Sequence, residues 1–172
     1  ESVAHILSDS GKREFTSGRT GTLTITDEQQ NNITKIITNL SNAITTPNLS
    51  TEDSRIFIPD RGDIINALDF AADVFIQDDD EIVGIELKSV RPNSGEMRGE
   101  KEKILNGKAA LYRKYPGKNI KFFIGFPFDP TSSCDNQTQC DKSQFMHSII
   151  NLNKFFSQEE VLLSSELWDY LS

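Results

Sequence analysis

The residues whose types and spacing best support chemistry are Asp73, Glu86 and Lys88. They lie in two apolar-rich segments, 68–77 and 81–90, that read as strands, with Asp78, Asp79 and Asp80 supplying the turn between them. A turn centred between Asp79 and Asp80 sets Asp73 directly opposite Glu86. Directly opposed residues share a face of the sheet with Cβ atoms about 5 Å apart, and Lys88, two positions after Glu86, points the same way. Two carboxylates and one ammonium then converge, flanked by the small residues Ala71 and Gly84. An Asp–Glu pair at that distance repels unless a cation sits between them. Hard carboxylate oxygens suit Mg²⁺, which uses one or two carboxylates and completes its shell with water and substrate phosphate. The carbonyl of Leu87 offers a further oxygen. The competing reading is a carboxylate–lysine pairing on a solvated hairpin face, with Val83, Ile85 and Leu87 on the opposite face accounting for burial.

A helix must follow the pair closely. Asn93 or Ser94 caps a segment running to about Tyr115, where Pro116-Gly117 ends it. Met97, Ile104, Leu105, Leu111, Tyr112 and Tyr115 form its apolar stripe, and Lys101 and Lys108 fall inside that stripe. A lysine so placed either snorkels outward or reaches a buried anion. Lys101, nearest the carboxylates, is the better candidate for a substrate phosphate. Between Lys88 and Lys121 stand ten Lys or Arg against three acids, on a chain of net charge −8. A segregated basic segment on an acidic chain is the footprint of a phosphate-binding face, or else a helix with a solvated basic side.

The remaining elements frame this core. Residues 9–22, rich in Ser, Gly and Thr, read as a loop or exposed hairpin. Asp27 caps a helix carrying Ile33, Ile36, Ile37, Leu40 and Ile44 at helical spacing. Residues 45–54 read as a polar connection, Arg55–Pro59 as a short strand, and Pro59–Gly62 as a turn. Asn119–Phe128 is a buried strand, and helices are predicted over 141–155 and 157–171, the second opened by Ser157-Gln158-Glu159-Glu160. Strand, helix and strand over 81–128 make a βαβ crossover, normally right-handed. The expectation is one α/β domain over residues 1–172, with a mixed central sheet flanked by helices. It divides into an N-terminal helical and loop part (1–54), a core (55–128) and C-terminal helices (129–172).

Composition narrows the classes. With 36% hydrophobic residues among 172, the chain is too apolar for a disordered protein. No apolar run approaches the roughly 20 residues of a membrane helix. Cys134 and Cys140, in a polar loop, lack a second pair for zinc and read as reduced thiols of a cytoplasmic protein, or as a small disulfide loop. His5 and His147 are too few and too separated for a metal set, and no Gly-rich phosphate loop occurs. The start at Glu1 rather than Met suggests that native residues precede it.

Asp73 followed by Glu86-Leu87-Lys88 resembles the signature of the PD-(D/E)XK nucleases, an acid followed by Glu-x-Lys on the next strand. The context, an αβββαβ order plus C-terminal helices, resembles their restriction endonuclease-like core. More specifically, residues 85–97 (Ile85 to Met97), residues 99–105, Phe126-Pro127-Phe128-Asp129-Pro130 and Glu166-Leu167-Trp168 resemble type II restriction endonucleases of the TdeIII kind, a likeness covering roughly residues 55–172. The resemblance implies a bacterial or archaeal, Mg²⁺-dependent enzyme, with Mn²⁺ as a substitute. Such an enzyme would hydrolyse double-stranded DNA at a specific short site to a 5′-phosphate and a 3′-hydroxyl, as a homodimer. Asp73 and Glu86 would hold the metal with the Leu87 carbonyl, and Lys88 would orient or help deprotonate the attacking water and stabilise developing charge. Arg91, Asn93, Arg98, Lys101 and Lys108 would meet DNA.

Asp69 competes with Asp73. It stands seventeen residues before Glu86, a spacing the superfamily also uses, and a bulge or shifted turn would bring it into place. Asp60 ranks third. A structure-specific repair or junction nuclease and a non-catalytic DNA-binding module are the alternative functions.

Overall fold

The computed structural model describes residues 13–16, 23–88, 96–128 and 142–172. In chain order the elements are β1 (Arg13–Thr16), β2 (Thr24–Thr26), α1 (Asp27–Ser41), α2 (Leu49–Ile56), β3 (Ile64–Asn66), β4 (Ala71–Gln77), β5 (Glu81–Leu87), α3 (Glu96–Lys114), β6 (Asn119–Phe126), α4 (Lys142–Ser148), α5 (Leu152–Phe155), a 3₁₀ turn (Gln158–Glu160), β7 (Val161–Leu163) and α6 (Ser165–Leu171). Among the described residues no helix is long and apolar enough to cross a membrane.

The aspartate turn closes β4 and β5 into an antiparallel pair that matches Val74 with Ile85, Phe75 with Gly84, Ile76 with Val83 and Gln77 with Ile82. This is the register the sequence predicts, and one step further along it sets Asp73 against Glu86. β6 runs parallel to β5, and β7 parallel to β6. With β1 antiparallel to β4, a mixed sheet of order β1-β4-β5-β6-β7 results. α3 is the connection between β5 and β6.

Both faces of this sheet are buried. Val74, Val83, Ile85 and Leu162 pack against Leu167 and Leu171 of α6. Phe75, Ile82, Phe122 and Ile124 face the larger core with α1 and α3. The face carrying Glu86 is therefore not the solvated side of a hairpin. Gly84 is required there: a Cβ at this position would come within 2.6 Å of the Phe122 ring.

Four sequence assignments differ from the structure. Residues 55–59 are not a strand, because α2 occupies Leu49–Ile56, capped by the Asn48 side chain on the Thr51 N–H at 2.9 Å. The first of the three consecutive strands in the expected order is thus lost; β3 pairs with β2 in a separate two-stranded sheet. The first helix is capped by Thr26, through a reciprocal pair of bonds with Gln29, and ends before Ile44, which is exposed. The helix expected over 141–155 is broken, with Asn151 in the left-handed region at φ 67°. The segment 157–171 contains a strand: the Ser157 cap encloses only the 3₁₀ turn, and Val161, Leu162 and Leu163 are buried as β7.

Buried polar groups tie the helices together. Gln29 is fully buried, and its amide donates to the Ile56 carbonyl at the end of α2 and to the Ala109 carbonyl of α3. Lys101, fully buried on α3, sits 2.6 Å from Glu52 of α2 and 2.5 Å from Glu160 of the 3₁₀ turn. Lys108, one turn-pair further along α3, pairs with Asp53 of α2. Two carboxylates thus face one lysine at Lys101. Burial, opposed by the Lys101 charge, raises the pKa of Glu52 above its ordinary value of 4.5.

These pairs generate two expectations. Lys101→Met leaves two carboxylates facing each other without a cation and destabilises the fold by about 3–5 kcal/mol, measured by denaturant unfolding at neutral pH; a loss within error of zero would contradict the assignment. Glu52 binds its proton more tightly folded than unfolded, so its contribution to stability falls as pH rises above the ordinary carboxylate range. Glu52→Gln, which does not titrate, should gain stability relative to wild type as pH rises from about 4.5 toward neutrality, whereas a pH-independent difference would show that Glu52 is ionised in the fold throughout.

Candidate active site

The end of the β4–β5 ladder is where charge gathers. Asp73, half-buried on β4, accepts a hydrogen bond on Oδ2 from the Leu87 backbone N–H at 2.8 Å. A side chain here takes over from the backbone pairing and fixes the carboxylate against the end of β5. The Glu86 carboxylate lies beside it. Burial, and then the charge of Asp73, push the Glu86 pKa up to about 7. Its Oε2 is buried and has no hydrogen-bond partner, which is costly for a carboxylate oxygen unless a proton or cation meets it.

Lys88 completes the cluster. Its backbone N–H donates to the Gly125 carbonyl at 2.8 Å, which carries the β5–β6 pairing one residue past the strand. Its ammonium lies 3.6 Å from Glu86 Oε1 but donates to Glu100 Oε1 at 2.9 Å and Glu96 Oε1 at 3.0 Å. Burial works against the charged amine, yet the hydrogen bonds to Glu100 and Glu96 hold its pKa above the ordinary lysine value. Lys88 is consequently a firm cation.

Chemically, the arrangement offers two adjacent carboxylates, one with an unmet buried oxygen, beside a fixed positive charge. Among the described residues no group of three or more His, Cys, Asp or Glu side chains has metal-holding geometry. Two carboxylates side by side suit a hard divalent cation whose shell water and phosphate complete.

The other residues singled out by sequence are distributed differently. Asp69 is exposed in the connection before β4 and does not lie on the strand, so the register brings Asp73, not Asp69, opposite Glu86. Asp60 is exposed and paired with Arg113 at 2.8 Å. Leu87 closes β5 beside both carboxylates. Lys101 and Lys108 do reach buried anions, but these are the protein's own Glu52, Glu160 and Asp53, so neither lysine is presented to a phosphate. Arg98 is exposed near the start of α3. Arg91, Asn93, Cys134, Cys140 and His5 lie outside the described residues. Half of the ten basic residues of this segment are paired within the protein: Lys88, Lys101 and Lys108 with buried or part-buried carboxylates, and Arg113 and Lys121 with carboxylates at the surface.

Glu96 and Glu100 are the residues that sequence reasoning missed. They counted only as acids diluting a basic stretch. Their signal was positional, since residues four apart on a helix share a face, and that face meets Lys88.

Comparison with known proteins places the chain in a lineage. The family described as type II restriction endonuclease, HinfI, matches residues 1–172. The type II restriction enzyme MjaII of Methanocaldococcus jannaschii is 42% identical over 174 residues, covering 100% of this chain and 46% of that enzyme. The chain thus spans about half the length of the curated relative it matches. No solved structure matches it. The sequence motifs resemble endonucleases of the TdeIII kind, whereas the family matched is that of HinfI; both are type II restriction endonucleases. With the match running from the first residue to the last, the chain belongs to the HinfI family of type II restriction endonucleases.

Proposed function

We propose that the chain hydrolyses double-stranded DNA at a specific short site, in a Mg²⁺-dependent reaction carried out on a PD-(D/E)XK core, with residues 1–172 acting as a single nuclease domain. The observation that carries this reading is the buried, unpartnered Glu86 Oε2 beside Asp73, with the Lys88 ammonium 3.6 Å from the same carboxylate. Asp73 and Glu86 would hold Mg²⁺, or Mn²⁺ in its place, with the Leu87 carbonyl as a further oxygen. Once bound, such an ion polarises a phosphoryl oxygen and lowers the pKa of a coordinated water.

The chain's own residues supply the rest. Lys88, kept protonated by Glu96 and Glu100, serves as a fixed positive charge toward the negative charge that develops on the phosphate. A role as general base would require the neutral amine, which this environment disfavours. The N–H of Leu87 holds the Asp73 carboxylate in place. Arg98, with Arg91 and Asn93 between β5 and α3, is suited to contact the DNA backbone, where contacts position rather than specify. Lys101 and Lys108 are assigned no such contact. A palindromic site with two equivalent scissile bonds would call for a homodimer, and the setting would be the cytoplasm of a bacterial or archaeal cell. Membership of a restriction endonuclease family favours site-specific cleavage over a junction-directed activity.

Digestion of supercoiled plasmid with Mg²⁺ tests the proposal, with sequencing of the product ends. Discrete fragments bearing 5′-phosphates are expected; a smear would point to a repair or junction nuclease, and intact plasmid to a binding module. Removing divalent metal with a chelator should stop cleavage and adding Mg²⁺ back should restore it.

The site assignment has its own test. Lys88→Ala and Glu86→Ala should each lower single-turnover cleavage by roughly 10²–10³-fold or more, with DNA binding retained. Asp73→Asn should cost far more activity than Asp69→Asn. The reverse ranking would move the carboxylate pair to Asp69 and Glu86 and contradict the observed register.

A further inference from the structure

Three carboxylates, Glu86, Glu96 and Glu100, lie within ion-pair distance of one ammonium at the head of α3, and Asp73 stands beside Glu86. Asp73 and Glu86 belong to the hairpin, Glu96 and Glu100 to the helix, and Lys88 stands between the two sets. Its position between them is unequal. The amine is 2.9 Å from Glu100 and 3.0 Å from Glu96, within hydrogen-bond distance, but 3.6 Å from Glu86. Glu100 is the more buried of the two helix acids, and its neighbour Lys101 anchors α3 to α2 and the 3₁₀ turn. The pull on the amine therefore comes from a rigid element.

From this geometry we infer that Glu100 is a positioning residue that draws the Lys88 ammonium toward α3 and off Glu86, keeping the Asp73–Glu86 pair open to a divalent cation. The inference rests on the reading of that pair as the cation-holding site. A lysine has four rotatable side-chain bonds and a compact charge. Without Glu100, Lys88 is free to close the short remaining gap to Glu86. The resulting ion pair would occupy the carboxylate that the cation needs, so ammonium and metal would compete for one ligand. Glu96, more exposed, is the weaker tether. The same bond leaves Lys88 close enough to Glu86 to act on the same phosphate.

A double-mutant comparison of Mn²⁺ binding to the full chain, followed by electron paramagnetic resonance and without DNA, tests this. Glu100→Gln should weaken Mn²⁺ binding by about 10–100-fold, the range typical of losing a group that acts from outside the ligand shell. Glu100→Asp, which keeps the charge, should recover most of the affinity. Lys88→Met removes the competing amine and should bind Mn²⁺ at least as tightly as wild type. In that background, adding Glu100→Gln should have a markedly smaller effect. An unchanged affinity in Glu100→Gln overturns the inference, as does an equal loss with and without Lys88, because a purely structural role would weaken both alike. Thermal melting checks that each variant folds. Should Glu100→Gln not fold, Glu96→Gln carries the same comparison with a smaller expected loss. If wild type itself binds no Mn²⁺, the cation-holding pair is refuted and this inference with it, whereas normal wild-type binding with an indifferent Glu100 refutes the inference alone.

Discussion

Everything at this site depends on the register of one hairpin. Side chains alternate across a strand, so a slip of a single residue between β4 and β5 would carry Asp73 to the opposite face from Glu86. The observed pairing, from Gln77 with Ile82 to Val74 with Ile85, is enforced from both sides of the sheet. Val74, Val83 and Ile85 are committed to the core under α6. Gly84 is committed to Phe122, whose ring occupies the space that any side chain there would need. Neither commitment survives a slip. The carboxylates are thus placed by apolar packing several residues away, and the Leu87 N–H then trims the angle of one of them.

The second constraint is electrostatic and belongs to α3. This helix binds its neighbours with buried ion pairs, using Lys101 for α2 and the 3₁₀ turn and Lys108 for α2 again. Its first turns present Glu96 and Glu100 to Lys88. One helix therefore places cations in the core and anions at the site, with opposite signs on adjacent stretches of the same surface. Buried pairs of this sort add little to stability against an apolar replacement, but they fix where the helix sits, and the site inherits that precision.

The hairpin was legible in the sequence because its determinants are local: an aspartate turn, alternation on both strands, and a glycine flanked by apolar residues. Asp73, Glu86 and Lys88 followed from counting along it. What failed was non-local. Leu49–Ile56 carries few apolar residues, so its helical period is invisible until Asn48 is recognised as a cap. Val161–Leu163 follows a capping sequence and is apolar at every position, which a buried strand and a buried helix share. Lys101 faces the core stripe as its spacing implies, but the buried anion it reaches is the protein's own rather than the substrate phosphate expected. The identity of that anion could not be read, because Glu160 lies 59 residues away. Glu96 and Glu100 were passed over for a similar reason, since nothing in their own segment says what they face.

Pairing half of the basic segment with the protein's own carboxylates would change how such a chain meets the DNA it is proposed to cut. Counterion release on binding DNA scales with the number of cations set against phosphates, and cations already neutralised inside the protein release none. Of the basic residues between Lys88 and Lys121, those that pair with the protein's own carboxylates are withdrawn from that count. Meanwhile the net charge of −8 would repel a duplex at long range. Added salt then screens two opposing effects, a short arc of attraction and a broad repulsion, over a Debye length of about 8–10 Å. For a chain that binds DNA as proposed, the electrostatic cost of raising ionic strength would accordingly be gentler than ten clustered lysines and arginines suggest.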